Sequence, residues 1–389
     1  MKKHISIILS LILALTLLGG CSNSSPSSTG SASSEAPPPS TTEPSAAASE
    51  PAPTTASPET EMADTAAHPN CKGNVTEYPW ADAFASQDPA QFEAIFHESI
   101  SQAAGTTPGV TFGAKTVSAI FGWASQFYEY CDFTHQAKAG NRTFLEWELM
   151  TNNNMYMTGM TIITKDSDGK VISAINAHRN LMEVTIFLDH FFQGPEGIGA
   201  LYTVHTAALE QYGLEPKYVR KPDGTIKGQG VDDVYIDAFA SASAQEFKKL
   251  LANDVTLTGG YIVEPMSGAD DIAQTMAAVS GYYEHCVFTV QASHENRTYI
   301  QYEGRLLNQQ MVPDGFIVLV RNDQGEITEI MDHPMPVTVC TMLSTYLSEA
   351  TADTVSDKYF YRDTLFAEAV EKYGLNKVYG ESTNMYIAP

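Results

Sequence analysis

Residues 128–144 read YEYCDFTHQAKAGNRTF, and residues 283–299, 155 positions further on, read YEHCVFTVQASHENRTY. No gap is needed, and ten of the 17 positions are identical. A self-match at one fixed, long spacing is the mark of a duplicated folding unit. Each copy also opens alike: Asp82-Ala83-Phe84-Ala85-Ser86 recurs as Asp237-Ala238-Phe239-Ala240-Ser241 at the same spacing. The fold must therefore be one that a single copy can adopt and that tolerates a second in tandem. A chain of 389 residues has room for both copies and for extra segments.

Within a copy, the pattern begins helical. Phe92, Ile95, Phe96 and Ile100 fall at i, i+3, i+4 and i+8, as do Phe247, Leu250, Leu251 and Val255, which predicts one apolar stripe on a second helix. Residues 110–112 and 261–263 read as short strands. Val117, Ile120, Phe121 and Ala124, or Ile272, Met276 and Val279, predict a third helix. The period then changes to two. Thr143, Leu145, Trp147 and Leu149 alternate with Phe144, Glu146, Glu148 and Met150; Ile300, Tyr302 and Leu306 lie opposite Tyr299, Gln301, Glu303 and Arg305. Further strands are expected at 155–164 and 315–321, and at 171–175 and 327–331, with turns at Asp168-Gly169 and Gln324-Gly325. Residues 183–193 and 337–349 read as helices, followed by 201–212 and 364–373. Gly213 and Gly374 suit a C′ position.

Helices followed by a run of antiparallel strands make an α+β pattern. The opening helix at 80–86, the stretch GADDIAQTMAAV at 268–279 and QGEITEIMDH at 324–333 resemble the nuclear transport factor 2-like superfamily, including its SnoaL-like members. The resemblance spans about 75–180 and 232–335 and is one of pattern. It implies two tandem cone-shaped domains, each a curved antiparallel sheet packed on helices around an apolar pocket, with extra C-terminal helices. It also implies pairing through the outer face of the sheet, here as an intrachain pseudo-dimer of the two repeats with Trp147 or Tyr302 on the covered face. The expected domains are 74–220 and 231–389.

Lys2 and Lys3 precede an apolar run over residues 5–18, too short to span a bilayer and suited to a secretory leader. The run ends in Leu18-Gly19-Gly20-Cys21, which resembles the lipobox of bacterial lipoproteins. That resemblance implies a signal peptide at 1–20, a lipid on Cys21, and an extracytoplasmic, membrane-anchored protein. An ordinary signal peptide with an incidental cysteine is the alternative. Residues 21–73 are rich in Ser, Pro, Thr and Ala and bury too little to offset the entropy of ordering, so they read as a disordered tether. Acidic residues outnumber basic ones 46 to 22, which argues against nucleic acid as a partner. Cys71, Cys131, Cys286 and Cys340 lack a pair matched between copies and read as small buried hydrophobes, with a Cys286–Cys340 bond left open.

Glu148 and Glu303 are equivalent and lie opposite the Leu/Trp row. If their face lines the cone, a carboxylate there has a raised pKa and can act as a base; otherwise each is solvated or paired. His178 and His333 follow the last strand and could titrate near neutrality, or cap the strand–helix junction. They are equivalent at a spacing of 155 but not at the 156 set by the preceding turn glycines. Arg142 and Arg297, in Asn-Arg-Thr, could clamp a carboxylate or pair with an acid on a neighbouring strand. With Tyr156 and Met157 they are the ligand-contact candidates. Met150, Met155, Met157 and Met160 suit an adaptable apolar pocket better than a soft-metal site. No metal or cofactor motif is present, and no cofactor or metal is expected. The expected function is a binding module for a small apolar ligand or an envelope partner. An isomerase or cyclase using one buried acid or base in a cone is the alternative.

Overall fold

A computed structural model of the chain describes residues 68–371, with breaks at 108, 153, 193–194, 221–225, 229–231 and within 363–370. The leader, Cys21, most of the tether, Gly374 and most of the last helix expected at 364–373 lie outside the described residues.

Copy one runs α1 (Tyr78–Ser86), α2 (Pro89–Ile95), β1 (Phe96–Ala104), β2 (Thr111–Phe112), α3 (Ala114–Ser125), β3 (Tyr128–Ala139), β4 (Arg142–Thr151), β5 (Tyr156–Lys165), β6 (Val171–His178), α4 (Leu181–Phe192) and α5 (Pro195–Tyr212). A short strand, β7 (Ile226–Gly228), precedes copy two. Copy two repeats the order as α6 (Asp233–Ser241), α7 (Ala244–Lys248), β8 (Leu251–Gly259), β9 (Met266–Ser267), α8 (Ala269–Tyr282), β10 (Tyr283–His294), β11 (Arg297–Leu306), β12 (Met311–Arg321), β13 (Ile327–Pro334) and α9 (Val337–Ala350). The helix-end signals are shared only in part, since Ser243, the equivalent of Asp88, makes no side-chain cap. Asp88 accepts from the Ala90 amide at 2.9 Å with Pro89 at the first helical position, and Gln87 and Ala242, 155 apart, both end their helices left-handed.

The sheets are ordered β2-β1-β6-β5-β4-β3 and β7-β10-β11-β12-β13-β8-β9. The strands β3 to β6, and β10 to β13, form antiparallel meanders. Each is extended in parallel by β1 or β8, with Phe96 opposite Val171 and Leu251 opposite Ile327. The architecture is α+β, two tandem cones of curved sheet packed on helices, with α4, α5 and α9 added C-terminally to the meanders.

Two elements differ from expectation. The second helix stops at Ile95 or Lys248, and Phe96–Ala104 and Leu251–Gly259 are strands. The apolar spacing fits a helix, but a register shift between Phe96 and Ser101 lets a strand present Phe96 and Ile100 to the same core. Residues 261–263 form no strand. The equivalent of β2 is Met266–Ser267, while Tyr261 turns into the second cone.

Three apolar clusters follow from the alternation. Leu145, Trp147 and Leu149 of β4 face the first cone with Trp80, Phe92 and Phe121. Ile300 and Tyr302 face the second cone with Phe239, Phe247 and Phe288. The opposite faces supply a third cluster: Phe144, Met160 and Ile162 from one sheet, and Tyr299, Phe316 and Val318 from the other. Phe144 and Tyr299 are repeat equivalents, and their ring centroids lie 5.6 Å apart. Trp147 and Tyr302 are therefore inside the cones and not on the face the sheets share. Their bulk needs a bare backbone opposite: a Cβ on Gly159 would fall 2.3 Å from the Trp147 ring, and one on Gly315 2.4 Å from the Tyr302 ring.

Beyond the sheets, the chain ends of each meander reach across to the other copy. The Leu181 amide donates to the Ile262 carbonyl at 2.7 Å, and the Val337 amide donates to the Thr107 carbonyl at 3.2 Å. The four cysteines Cys71, Cys131, Cys286 and Cys340 are free; three are buried and Cys71 is half-buried.

Candidate functional site

The carboxylates expected in the cones point outward. Because Leu145, Trp147 and Leu149 take the inner face, period two puts Glu148 outside. There it binds Lys72 and accepts from the Tyr156 hydroxyl at 2.8 Å, and these bonds hold its carboxyl below the usual range. Glu303 is exposed on the equivalent strand. Neither is a pocket base.

The histidines differ too. Gly159 pairs with His178 and Gly315 with Pro334, so in the sheet frame His333 corresponds to Ala177, not to His178. Both rings are buried, and burial lowers His178 to about 3 and His333 to about 4. His178 packs edge-on against Trp147 with centroids 5.3 Å apart. His333 stacks on Phe316 and donates from Nε2 to the His178 carbonyl. They are neutral core groups at the junction of the copies.

Arg297 donates from Nε to Glu146 at 2.9 Å and so pairs with an acid of the other sheet. Arg142 occupies the matching place in copy one, and its charge reaches Asp314. The methionines converge only in part: Met160 lies between the sheets, while Met155 and Met157, which pack with the first cone, both line one cavity. Among the described residues, no three His, Cys, Asp or Glu side chains are placed to hold a metal.

The most deeply buried acid among the described residues is one not singled out from the sequence. Asp332, 1% exposed, sits on β13 beside Ile330 on the inner face of the second cone. It accepts from the Tyr302 hydroxyl at 2.8 Å and the Tyr261 hydroxyl at 2.9 Å. Burial pushes its carboxyl up to about 6, against the pull of the two hydroxyls. Tyr283 donates to the Tyr302 oxygen at 3.5 Å. In copy one the matching chain is uncharged: Trp147 Nε1 donates to Thr161 Oγ1 at 3.2 Å, and Thr161 donates to Asn176. The signal was in the alternation. Ile330 and Asp332 share a face, as do Ala174 and Asn176, so one polar residue in each copy falls where the core should be apolar.

A cavity of about 390 Å³ opens where the copies meet. Asn154 and Met155 contribute from the β4–β5 connection, and Tyr156 and Met157 from the start of β5. Asn180, Met182, Glu183 and Ile186 come from the start of α4, and Val263, Glu264 and Pro265 from the loop after β8. The size suits a small molecule, for which sites of roughly 300–1,000 Å³ are usual. Methionine and aliphatic side chains share the wall with Asn180, Glu183 and Glu264, while Asn154, Tyr156 and Pro265 are exposed and form the rim. The junction is ordered by a cap: Asn180 Oδ1 accepts from the Glu183 amide at 2.9 Å. The Glu183 carboxylate in turn accepts from the amides of Arg179 at 3.2 Å and Thr158 at 3.4 Å, and from the Asn180 side chain at 3.2 Å. Desolvation nonetheless raises Glu183 to about 7. Of the ligand-contact candidates, Tyr156 and Met157 line this cavity; Arg142 and Arg297 do not.

No protein-family model matches the sequence, and no curated protein matches it. Among solved structures, a protein with a cystatin-like fold from Silicibacter pomeroyi is 16% identical, with a TM-score of 0.26, over 34% of this chain and 84% of its own. A steroid delta-isomerase from Pseudomonas aeruginosa is 18% identical, with a TM-score of 0.25, over 35% of this chain and 89% of its own. An NTF2-like protein of unknown function from Exiguobacterium is 15% identical, with a TM-score of 0.22, over 26% of this chain and 95% of its own. Each likeness covers little more than a third of this chain at most, and it is to a fold.

Proposed function

We propose that this chain is an extracytoplasmic binding module that takes a small, largely apolar ligand in the cavity between its two copies. A lipid on Cys21 would anchor it, and the segment up to the first helix would hold the body away from the membrane. The observation that carries the reading is the cavity itself. It is of ligand size, offers thioether and aliphatic surface beside a few polar groups, and is built from elements that both copies must supply. The sheet-to-sheet face then acts as an intrachain counterpart of a dimer interface, holding the two halves of the site in register. The test is native mass spectrometry of the full chain purified from its own host, beside a Met155→Trp variant that fills the cavity. A retained small molecule, lost in the variant, supports binding. Wild-type protein that is ligand-free and gains no thermal stability from a panel of small apolar compounds counts against it.

The isomerase or cyclase alternative has one specific observation in its favour, the Asp332 carboxyl with its two tyrosine hydroxyls. A carboxyl near 6 could move a proton at neutral pH. Tyr261 and Tyr302 are, however, packed directly over it, and all three are at most 2% exposed. A substrate would have to displace the loop that carries Tyr261. Isomerase activity on a cyclic enone, abolished by Asp332→Asn, would favour this second reading.

A further inference from the structure

The geometry points to a cationic amphiphile, an alkyl ammonium or comparable amine, as the class of ligand that the cavity between the copies selects. The inference rests on the binding-module reading above. Two carboxylate side chains, Glu183 from α4 and Glu264 from the loop after β8, are among the lining residues, and among the described residues no Lys, Arg or His lines it. An anionic ligand would meet like charge on both walls in a chain whose formal charge is −24. An ammonium head would meet opposite charge, and its tail would lie along Met155, Met157, Met182 and Ile186.

Glu183 has capacity for one more donor. A carboxylate offers about four lone-pair sites. Three are used, at 3.2, 3.2 and 3.4 Å, all longer than the 2.7–2.9 Å typical of charge-assisted bonds. The carboxylate is thus thinly solvated by the protein, and its residue lines the cavity. Arg179 pairs with Glu329, and its charge also reaches Glu183 and Tyr156; Glu148 holds Lys72 and the Tyr156 hydroxyl, and Glu264 acts on Arg362. A bound ammonium stabilises ionised Glu183, so amine binding should weaken as pH falls through 7, while neutral-ligand binding should not.

The experiment is a competition assay on the intact chain with octylamine, octanol and octanoate at pH 8, repeated at pH 6. Octylamine is expected to bind at least about tenfold more tightly than octanol, with octanoate weakest. Glu183→Gln should reduce octylamine binding about tenfold and leave octanol unchanged. Gln suits the same helix position, so the cap survives. Glu264→Gln, outside the cap, serves as a second variant with the same direction and a smaller expected effect, because its charge is shared with Arg362. Equal binding of all three compounds, or preference for octanoate, overturns the charge inference and leaves the binding module standing. Binding of none overturns both.

Discussion

Arg297 Nε donates to Glu146 Oε1 across 2.9 Å, and the two residues belong to different copies. The Tyr299 hydroxyl donates to the same oxygen at 2.6 Å. One carboxylate of copy one thus satisfies two donors of copy two inside the shared sheet face. Removing it leaves a largely buried guanidinium without its partner, so Glu146→Ala should destabilise the fold by about 3 kcal/mol. Glu146→Gln, the residue that copy two carries at Gln301, keeps an acceptor and should cost about 1 kcal/mol. Urea unfolding followed by fluorescence measures both. An unchanged midpoint for Glu146→Ala would mean that the copies are not locked through this pair.

Asp332 and the histidines should give opposite pH slopes. The folded value of Asp332, about 6, is above its ordinary 3.8, so its contribution is full below pH 3.8 and is lost as pH rises through 6. Asp332→Asn, which copies Asn176, should remove that loss, worth about 3 kcal/mol between the two values. Relative to wild type, the variant should gain stability as pH rises from 4 to 6. A constant difference over that range would show that Asp332 is not held protonated by burial.

His333 acts the other way. Its folded value of about 4 is below 6.5, so its contribution is full above pH 6.5 and is lost as pH falls towards 4. His333→Gln retains a donor for the His178 carbonyl and cannot protonate. The variant should lose less stability on acidification, by about 1.4 kcal/mol per pH unit within that window. Parallel acid-unfolding curves for the two proteins would contradict a buried neutral ring.

The turn between β10 and β11 carries a local strain that copy one avoids. Glu295 has φ 51°, whereas Gly140, its equivalent, has φ 59°. A side chain in the left-handed region costs roughly 1–2 kcal/mol, partly offset by the flexibility glycine adds to the unfolded chain. Glu295→Gly should therefore stabilise by about 0.5 kcal/mol, seen as a higher melting temperature. The lost contact to His294, at 3.5 Å and exposed, contributes little. A lower melting temperature would mean that Glu295 has a partner worth more than its strain.

Much of this was legible in the sequence. The repeat gave the tandem architecture, and period two gave the meander strands and sorted their residues into faces. Which face looked inward was not decided by alternation alone. Phe144 and Trp147 are both large and apolar, and only packing shows that one meets Tyr299 of the other sheet while the other fills its own cone. The expected pocket carboxylates Glu148 and Glu303 inherited that inversion. Phe92 to Ile100 misled for a related reason, because a bulged strand can mimic helical spacing. Tyr156 and Met157 were singled out, but the cavity they line also needs Val263 and Glu264 from far along the chain, and no local pattern foretells such a meeting.

The parallel pairing of each copy's first long strand with its last has a temporal side. While the chain is being made, β1 can pair only with the two-residue β2 until β6 is complete, so nearly a whole copy must emerge before the sheet can close. Contacts so remote in sequence slow folding, because the loop must be closed before any bond rewards it. Duplication did not worsen this delay. Leu251 waits for Ile327 as Phe96 waits for Val171, and the pairing of the first long strand with the last stays within each copy, with the isolated Asn180–Gly259 bridge joining the two.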